Sequence, residues 1–280
     1  MPKCKRRFRL GMSAAVLASG ALAATAAAAT IGGDDRPNRL IGTHQADSID
    51  ARGGNDRVRA LGGDDGVLAG DGNDVVRAGA GNDDVNGLRG FDRIFGAAGN
   101  DTLQGWAGPD RLWGGFGDDT LIGDVTNAGD RISRDVLFGG PGNDTNRGGD
   151  GDDRMAGGPD DDTQEGGPGN DRIFANRGRD TSDGGPGDDV LWALIRFDVT
   201  GPGDLAGDVV RGGEGNDRFR TRDGELDIVS CGPGFDVARL DFADVIESAS
   251  ATAPDGDCER VRRAAPRPGE DNEEERSSPE

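Results

Sequence analysis

The chain has no tyrosine, one histidine (His44) and three cysteines among 280 residues. Its only lysines, Lys3 and Lys5, lie at the N-terminus. These absences exclude much chemistry. A single histidine cannot make an H-E-x-x-H zinc site. No serine sits in a G-x-S-x-G elbow. A phosphate loop would need a lysine where the chain has none. Aromatic residues make up 5% of the sequence and the mean hydropathy is −0.64, too few large apolar side chains for an ordinary core of this length. That leaves disorder or a repetitive architecture that needs little core per residue. Periodicity decides between them.

Glycine (51 residues) and acid are abundant, with 53 Asp and Glu against 32 Lys and Arg, a net charge of −21. Lys3, Lys5, Arg6, Arg7 and Arg9 precede an apolar stretch at residues 10–24, too short to span a bilayer comfortably. Small residues at 26–29 follow. Residues 1–29 read as a signal peptide cleaved near Ala29, which predicts a secreted, extracellular protein. Arg6-Arg7-Phe8 leaves twin-arginine export open beside the general secretory route. Cys4 precedes the apolar run instead of following it, which argues against a lipoprotein anchor. Every later cation is arginine, and the net charge without the leader is about −26. Such a charge argues against nucleic acid, anionic membrane surfaces and membrane insertion, and favours cations as partners.

The acids are periodic. Stepping by nine from Asp47 gives Asp56, Asp65, Asp74, Asp83, Asp92, Asp101, Asp110 and Asp119. The phase resumes at Asp135 and runs through Asp144, Asp153, Asp162, Asp171, Asp180 and Asp189. Two pairs follow, Asp208 with Asp217 and Asp227 with Asp236. An apolar residue usually stands two places after each Asp, as at Val58, Leu103, Ile173 and Phe219. A glycine-rich turn usually precedes it. Six units read G-G-x-G-x-D in full, ending at Asp119, Asp144, Asp153, Asp171, Asp189 and Asp217. Each unit is thus a six-residue turn and a three-residue strand with one inward apolar side chain, and stacked units line those side chains into columns. Carboxylates stacked at strand spacing, about 4.8 Å, repel unless neutralised. Ca²⁺ accepts carboxylate and carbonyl oxygens in number and suits such turns; Mg²⁺, which wants a tight octahedron, suits them less.

The pattern G-G-x-G-x-D-x-U-x resembles the RTX, or haemolysin-type, calcium-binding nonapeptide repeat. The resemblance covers roughly residues 40–240. It implies an all-β fold, a right-handed parallel β-roll (solenoid) with two units per 18-residue coil. It implies several Ca²⁺ ions held by turn Asp residues and turn carbonyls. The Asp role carries over to the six full units and, through less regular turns, to Asp56, Asp65, Asp74, Asp83, Asp92, Asp101, Asp110, Asp162 and Asp180. Asp135, Asp208 and Asp227 keep the phase without the glycine turn and are read as spacers.

The expected organisation is a leader (1–29), a lead-in (30–46), a calcium-binding roll (47–240), a cap (241–263) and a disordered acidic tail (264–280). Insertions are expected near 120–135, seven residues longer than one unit, and near 190–208, one residue longer than a full coil. Both should bulge and interrupt the calcium row. The segment from Trp192 to Phe197 is the most apolar stretch after the leader, read as a local hydrophobic cap. Asn146, Gln164 and Ser182, 18 residues apart, make one inward wall polar, and those coils should be the most calcium-dependent. Thr145, Thr163 and Thr181 form a short outer ladder, read as a solvated face although a flat threonine ladder can bind ice or sugar. In an exported chain Cys231 and Cys258 are expected to pair, stapling the cap. A free catalytic thiol is the weaker alternative, because His44 lies far away in sequence.

No enzyme is expected. The leading expectation is a secreted calcium-binding module with a structural or interaction role. The alternatives are a calcium-gated adhesin or surface-ligand binder using the inserted loops, and a non-catalytic remnant of an RTX hydrolase.

Overall fold

The computed structural model describes residues 27–124, 133–193, 207–248 and 257–265. Most of the expected leader, the bodies of both insertions, the apolar segment beyond Ala193 and the acidic tail lie outside the described residues. Strands alternate between two parallel twelve-stranded sheets, each strand pairing with the one two places along the chain. The first sheet runs from Thr30–Gly32 to Val245–Ile246, the second from Arg39–Ile41 to Arg260–Arg263. Among the described residues no helix is long and apolar enough to cross a membrane.

The three-residue strands face two ways because side chains alternate across a strand. The middle residue points inward. In the second sheet these form a column from Val58 through Val76, Ile94, Leu112, Leu137, Met155, Ile173 and Leu191 to Phe219, all fully buried. The first sheet supplies the facing column, Ile49, Val67, Val85, Leu103 and Leu121, then Asn146, Gln164 and Ser182, then Val210 and Val229. One thin seam of side chains therefore supplies most of the large apolar core, with small buried residues such as Ala60, Ala78 and Ala175 at its margins, which explains the composition. The polar stretch of that seam is only partly satisfied. Ser182 Oγ donates to Gln164 Oε1 (3.1 Å) and Asn146 Nδ2 donates to the Ala156 carbonyl (3.2 Å). Asn146 Oδ1 and Gln164 Nε2 have no partner.

The register revises the expected insertions. Thr145 pairs with Thr120, and Val136 with Arg111, 25 residues apart in place of 18. Val209 pairs with Thr181, 28 residues apart. The second irregularity is therefore one unit lengthened by ten residues, not a full coil lengthened by one. Trp192 belongs to the roll: its strand Val190–Trp192 pairs with Arg172–Phe174. The threonine ladder extends to five rungs, Thr102, Thr120, Thr145, Thr163 and Thr181. Beside it Arg147 and Glu165 form an exposed ion pair at 3.5 Å.

The outward residues of the second sheet form two further columns. One is Arg39, Arg57, Val75, Arg93, Arg111, Val136, Arg154, Arg172, Val190, Arg218, Val237 and Arg260. The other is Ile41, Arg59, Arg77, Phe95, Trp113, Phe138, Ala156, Phe174, Trp192, Arg220, Arg239 and Arg262. At the C-terminal end Cys231 and Cys258 form a disulfide with Cα atoms 5.3 Å apart, tying the last coil to the strand Arg260–Arg263.

Candidate metal centre

Each turn ends on a buried Asp, and the 18-residue coil stacks these acids into two rows, one along each edge of the roll. In every pair of adjacent rungs the earlier Asp donates its backbone N–H to Oδ1 of the later one. One row runs Asp47, Asp65, Asp83, Asp101, Asp119, Asp144, Asp162, Asp180, Asp208 and Asp227. The other runs Asp56, Asp74, Asp92, Asp110, Asp135, Asp153, Asp171, Asp189, Asp217 and Asp236. The bonds are 2.7–2.8 Å throughout. All fifteen acids singled out in the sequence stand in these rows.

The other carboxylate oxygen carries the chemistry. Oδ2 is buried without a hydrogen-bond partner in all fifteen, and equally in Asp135, Asp227 and Asp236. Where the turn opens on glycine it packs against that glycine; the turns of Asp56, Asp65, Asp74, Asp83 and Asp180 open instead on the buried Ala51, Ala60, Ala69, Ala78 and Ala175. A Cβ placed on Gly87 would lie 2.5 Å from Asp92 Oδ2 and 2.8 Å from the Gly105 carbonyl oxygen one coil on. A carboxylate oxygen and a carbonyl oxygen thus converge on the space that the missing side chain leaves. The same pair recurs at Gly114 (Asp119, Gly139), Gly148 (Asp153, Gly166), Gly166 (Asp171, Gly184) and Gly212 (Asp217, Cys231).

Charge is the second half of the geometry. Burial, opposed by the backbone hydrogen bond and reinforced by neighbouring carboxylates, pushes these acids far above the ordinary range. Asp92 rises to about 7, Asp110, Asp162 and Asp171 to about 8, and Asp135 and Asp180 to about 9. At neutral pH the rows therefore need protons or a cation. A second pair of ladders, on the turn exteriors, provides an internal contrast. There Asp64, Asn82, Asn100, Asp118, Asn143 and Asp161 stack through side-chain oxygens that accept the next coil's backbone N–H. Asp152, Asn170, Asp188 and Asn216 do the same on the other edge. In neither exposed ladder do two acids occupy adjacent rungs, whereas every rung of the buried rows is Asp. The same stacking geometry tolerates consecutive acids only where the orphaned oxygens point inward. All-oxygen donors, charged and neutral, on a flexible glycine frame are the donor set of a hard, large divalent cation such as Ca²⁺.

Two expectations change here. Asp135 and Asp227 are not mere spacers in phase; they hold ladder rungs with orphaned oxygens. For Asp135 the turn glycine is present but displaced in sequence. Gly123, before the insertion, lies against Asp135 Oδ2 and the Gly148 carbonyl. The rows also continue across both insertions, because the coils on either side keep the same register. Asp119 bonds to Asp144, and Asp180 to Asp208, as any adjacent rungs do.

At the C-terminal end the rungs change identity. Glu259 Oε2 accepts the Asp236 N–H (2.7 Å), and Asp244 takes the place after Asp227. Asp223, Glu225, Asp227, Asp241 and Asp244 are all buried, beneath Arg263, which donates to the Asp241 and Asp244 carbonyls (3.1 and 3.0 Å). Cys231, in the place of the first turn glycine, lies near Asp257 and Cys258. Its sulfur is bonded to that of Cys258, so no thiolate is available to a metal.

A family model described as the RTX calcium-binding nonapeptide repeat (4 copies) matches residues 32–67, 62–94, 86–121, 133–164, 157–191 and 202–225, more than half of the chain. Among solved structures, a hyperactive, Ca²⁺-dependent, beta-helical antifreeze protein from an Antarctic bacterium matches at 22% identity. That match covers 76% of this chain and 71% of the other, with a TM-score of 0.34. No curated protein matches the chain.

Proposed function

The chain belongs to the RTX calcium-binding nonapeptide repeat family, and from that premise we propose that it is a secreted structural or interaction module whose β-roll is stabilised by calcium in both edge rows. The observation that carries this reading is the pair of unbroken Asp rows, in which eighteen rungs have a buried, unpartnered Oδ2, many of them beside a turn carbonyl. Asp56, Asp65, Asp74, Asp83, Asp92, Asp101, Asp110, Asp119, Asp144, Asp153, Asp162, Asp171, Asp180, Asp189 and Asp217 would hold the ions, joined by Asp135, Asp227 and Asp236. Bound calcium supplies the positive charge that the buried carboxylates lack. The chain's own part is to fix the frame: the N–H bonds orient each carboxylate, and small residues, glycine or alanine, open most of the turns beside it. The paired cysteines and the basic, apolar N-terminus support an exported setting. No catalytic role is assigned to any residue, since the paired carboxylates are already engaged by the repeat.

The test is a calcium titration followed by circular dichroism and calorimetry, starting from protein in EDTA. Strand signal and thermal stability should rise with calcium, cooperatively across stacked sites. A protein equally stable in EDTA that takes up no calcium would overturn the reading.

A further inference from the structure

The outward columns of the second sheet hold thirteen arginines and no acid in twenty-four positions, in a chain of net charge −21. The first sheet's outward columns hold two arginines, Arg147 and Arg211, and four acids. Surface charge is therefore segregated by face. Between the arginines stand rings stacked along the roll axis. Phe95 lies on Trp113 with centroids 4.5 Å apart, and Phe174 on Trp192 at 4.4 Å. Guanidinium groups close the ends of these stacks: Arg77 over Phe95 (5.2 Å), Arg154 over Phe174 (5.2 Å) and Arg220 over Trp192 (5.3 Å). The result is a strip with at least one arginine on ten of its twelve rungs, adjacent rungs standing about 4.8 Å apart, and with Arg77, Arg154 and Arg220 held against rings before any ligand arrives.

We propose that this strip binds an extended acidic polysaccharide, a linear sugar chain bearing carboxylate or sulfate groups. The sign of the charge requires an anion, and the planar fork of arginine pairs with carboxylate or sulfate through two parallel bonds. Shape narrows the class. The strip is two residue columns wide and bounded by turn edges that carry Asp64, Asp118 and Asp161 on one side and Asp152 and Asp188 on the other. A flat anionic bilayer or a wide duplex would overlap those acids and be repelled, whereas a single chain lies between them. Single-stranded nucleic acid needs free ring faces for its bases. Here the faces of Phe95, Trp113, Phe174 and Trp192 are taken up by neighbouring rings and guanidinium groups. The strip depends on the fold and its register, and not on which Asp residues ligate calcium.

The test uses the full chain in saturating calcium, titrated with hyaluronate and with chondroitin sulfate, and with neutral dextran as the charge control. Both acidic chains should bind, dextran should not, and affinity should fall steeply with added salt. The variant Arg57→Gln/Arg59→Gln/Arg172→Gln/Arg239→Gln should lose about tenfold or more in affinity and flatten the salt dependence. Arg147→Gln/Arg211→Gln on the opposite sheet should change affinity less than about twofold. Calcium-dependent circular dichroism should be the same for both variants and the parent, which separates failure of this site from failure of the calcium reading. If the fourfold variant does not fold, Arg57→Gln/Arg59→Gln alone should show a loss of about threefold. Absence of binding to both acidic chains at low salt, equal losses in the two variants, or tighter binding to duplex DNA or phosphatidylserine vesicles would overturn the proposal.

Discussion

Asp171→Asn separates the two states of the metal rows by the sign of its effect. Asp171 is fully buried, its Oδ1 accepts the Asp153 N–H at 2.7 Å, and its Oδ2 lies orphaned beside Gly166 and the Gly184 carbonyl. Burial holds its carboxyl at about 8, against 3.8 in a free chain. A group whose folded-state pKa is raised favours the fold when protonated, and that contribution is lost as pH rises from 3.8 to about 8. Near pH 7, without a cation, the shift costs the folded state about 4 kcal/mol. An amide keeps the Oδ1 acceptor, removes the charge, and turns an N–H toward the Gly184 carbonyl. In EDTA the variant should therefore be more stable than the parent, by about 3 kcal/mol after the imperfect amide geometry is counted. In saturating calcium it loses a charged ligand and should be less stable, with a calcium midpoint raised about tenfold or more. Denaturant unfolding followed by circular dichroism in the two buffers reads both signs. A change of the same sign in both, or none in calcium, would refute the assignment of Oδ2 as a ligand.

Four further outcomes follow from the same geometry. In EDTA the melting temperature should rise as pH falls from about 9 to about 5, because Asp135 and Asp180 (about 9) and Asp110 (about 8) are folded-state proton acceptors; in saturating calcium the dependence should reverse, since the ion must displace those protons. Gly90→Ala should destabilise the roll by about 1–3 kcal/mol and raise the calcium midpoint, because Gly90 has φ 136° and an added Cβ would run into the Gly72 carbonyl one coil back. Gln164→Leu with Ser182→Val should replace a half-satisfied buried pair by apolar contacts, stabilise the roll by about 1–3 kcal/mol and reduce the calcium needed to fold it, read as a lower midpoint in the titration. Replacing Cys231 and Cys258 by Ser opens a loop of 27 residues and should lower stability by about 3–4 kcal/mol, concentrated in amide exchange of the last two coils.

The sequence announces this fold because a solenoid writes its local structure nine residues at a time. Asp, glycine and inward apolar residue recur in phase, and each position has one physical job. The polar wall at Asn146, Gln164 and Ser182 was legible for the same reason, since its members lie one coil apart. What stayed hidden needed the register. Gly123 serves the turn of Asp135 from across an insertion, so a scan for glycines immediately before each Asp misses it. The ten extra residues before Val209 are absorbed within one unit, which spacing alone cannot distinguish from a whole coil with one residue added. Six non-glycine side chains, among them Leu61, Leu88, Ala97 and Trp106, occupy the second turn position with positive φ. Stacking on both sides holds them there at a cost of about 1–2 kcal/mol each, and local propensity would have placed a glycine instead.

Net charge was the least informative of the sequence statistics, because it sums over faces that never meet the same partner. Eighteen of the acids are rungs with an orphaned oxygen, enclosed in the turns. Calcium shared between adjacent rungs would cancel most of that charge, out of a total of −21. The arginines of the second sheet lie on the surface and keep their charge in either state. Loading the rows would thus change the potential that an approaching polyanion meets, from strongly repulsive to attractive over one face, without moving any arginine. Calcium would then act twice on the same event, by holding the strip straight and by unmasking it. The two contributions can be separated at pH values low enough for protons to occupy the rows. A roll folded by protonation in EDTA should retain binding to hyaluronate through Arg57, Arg59, Arg172 and Arg239, because neutralised carboxyls serve the electrostatics as well as chelated ones. Binding that still required calcium in that folded, protonated state would place the ion in the polysaccharide contact itself and remove the strip as the sole site.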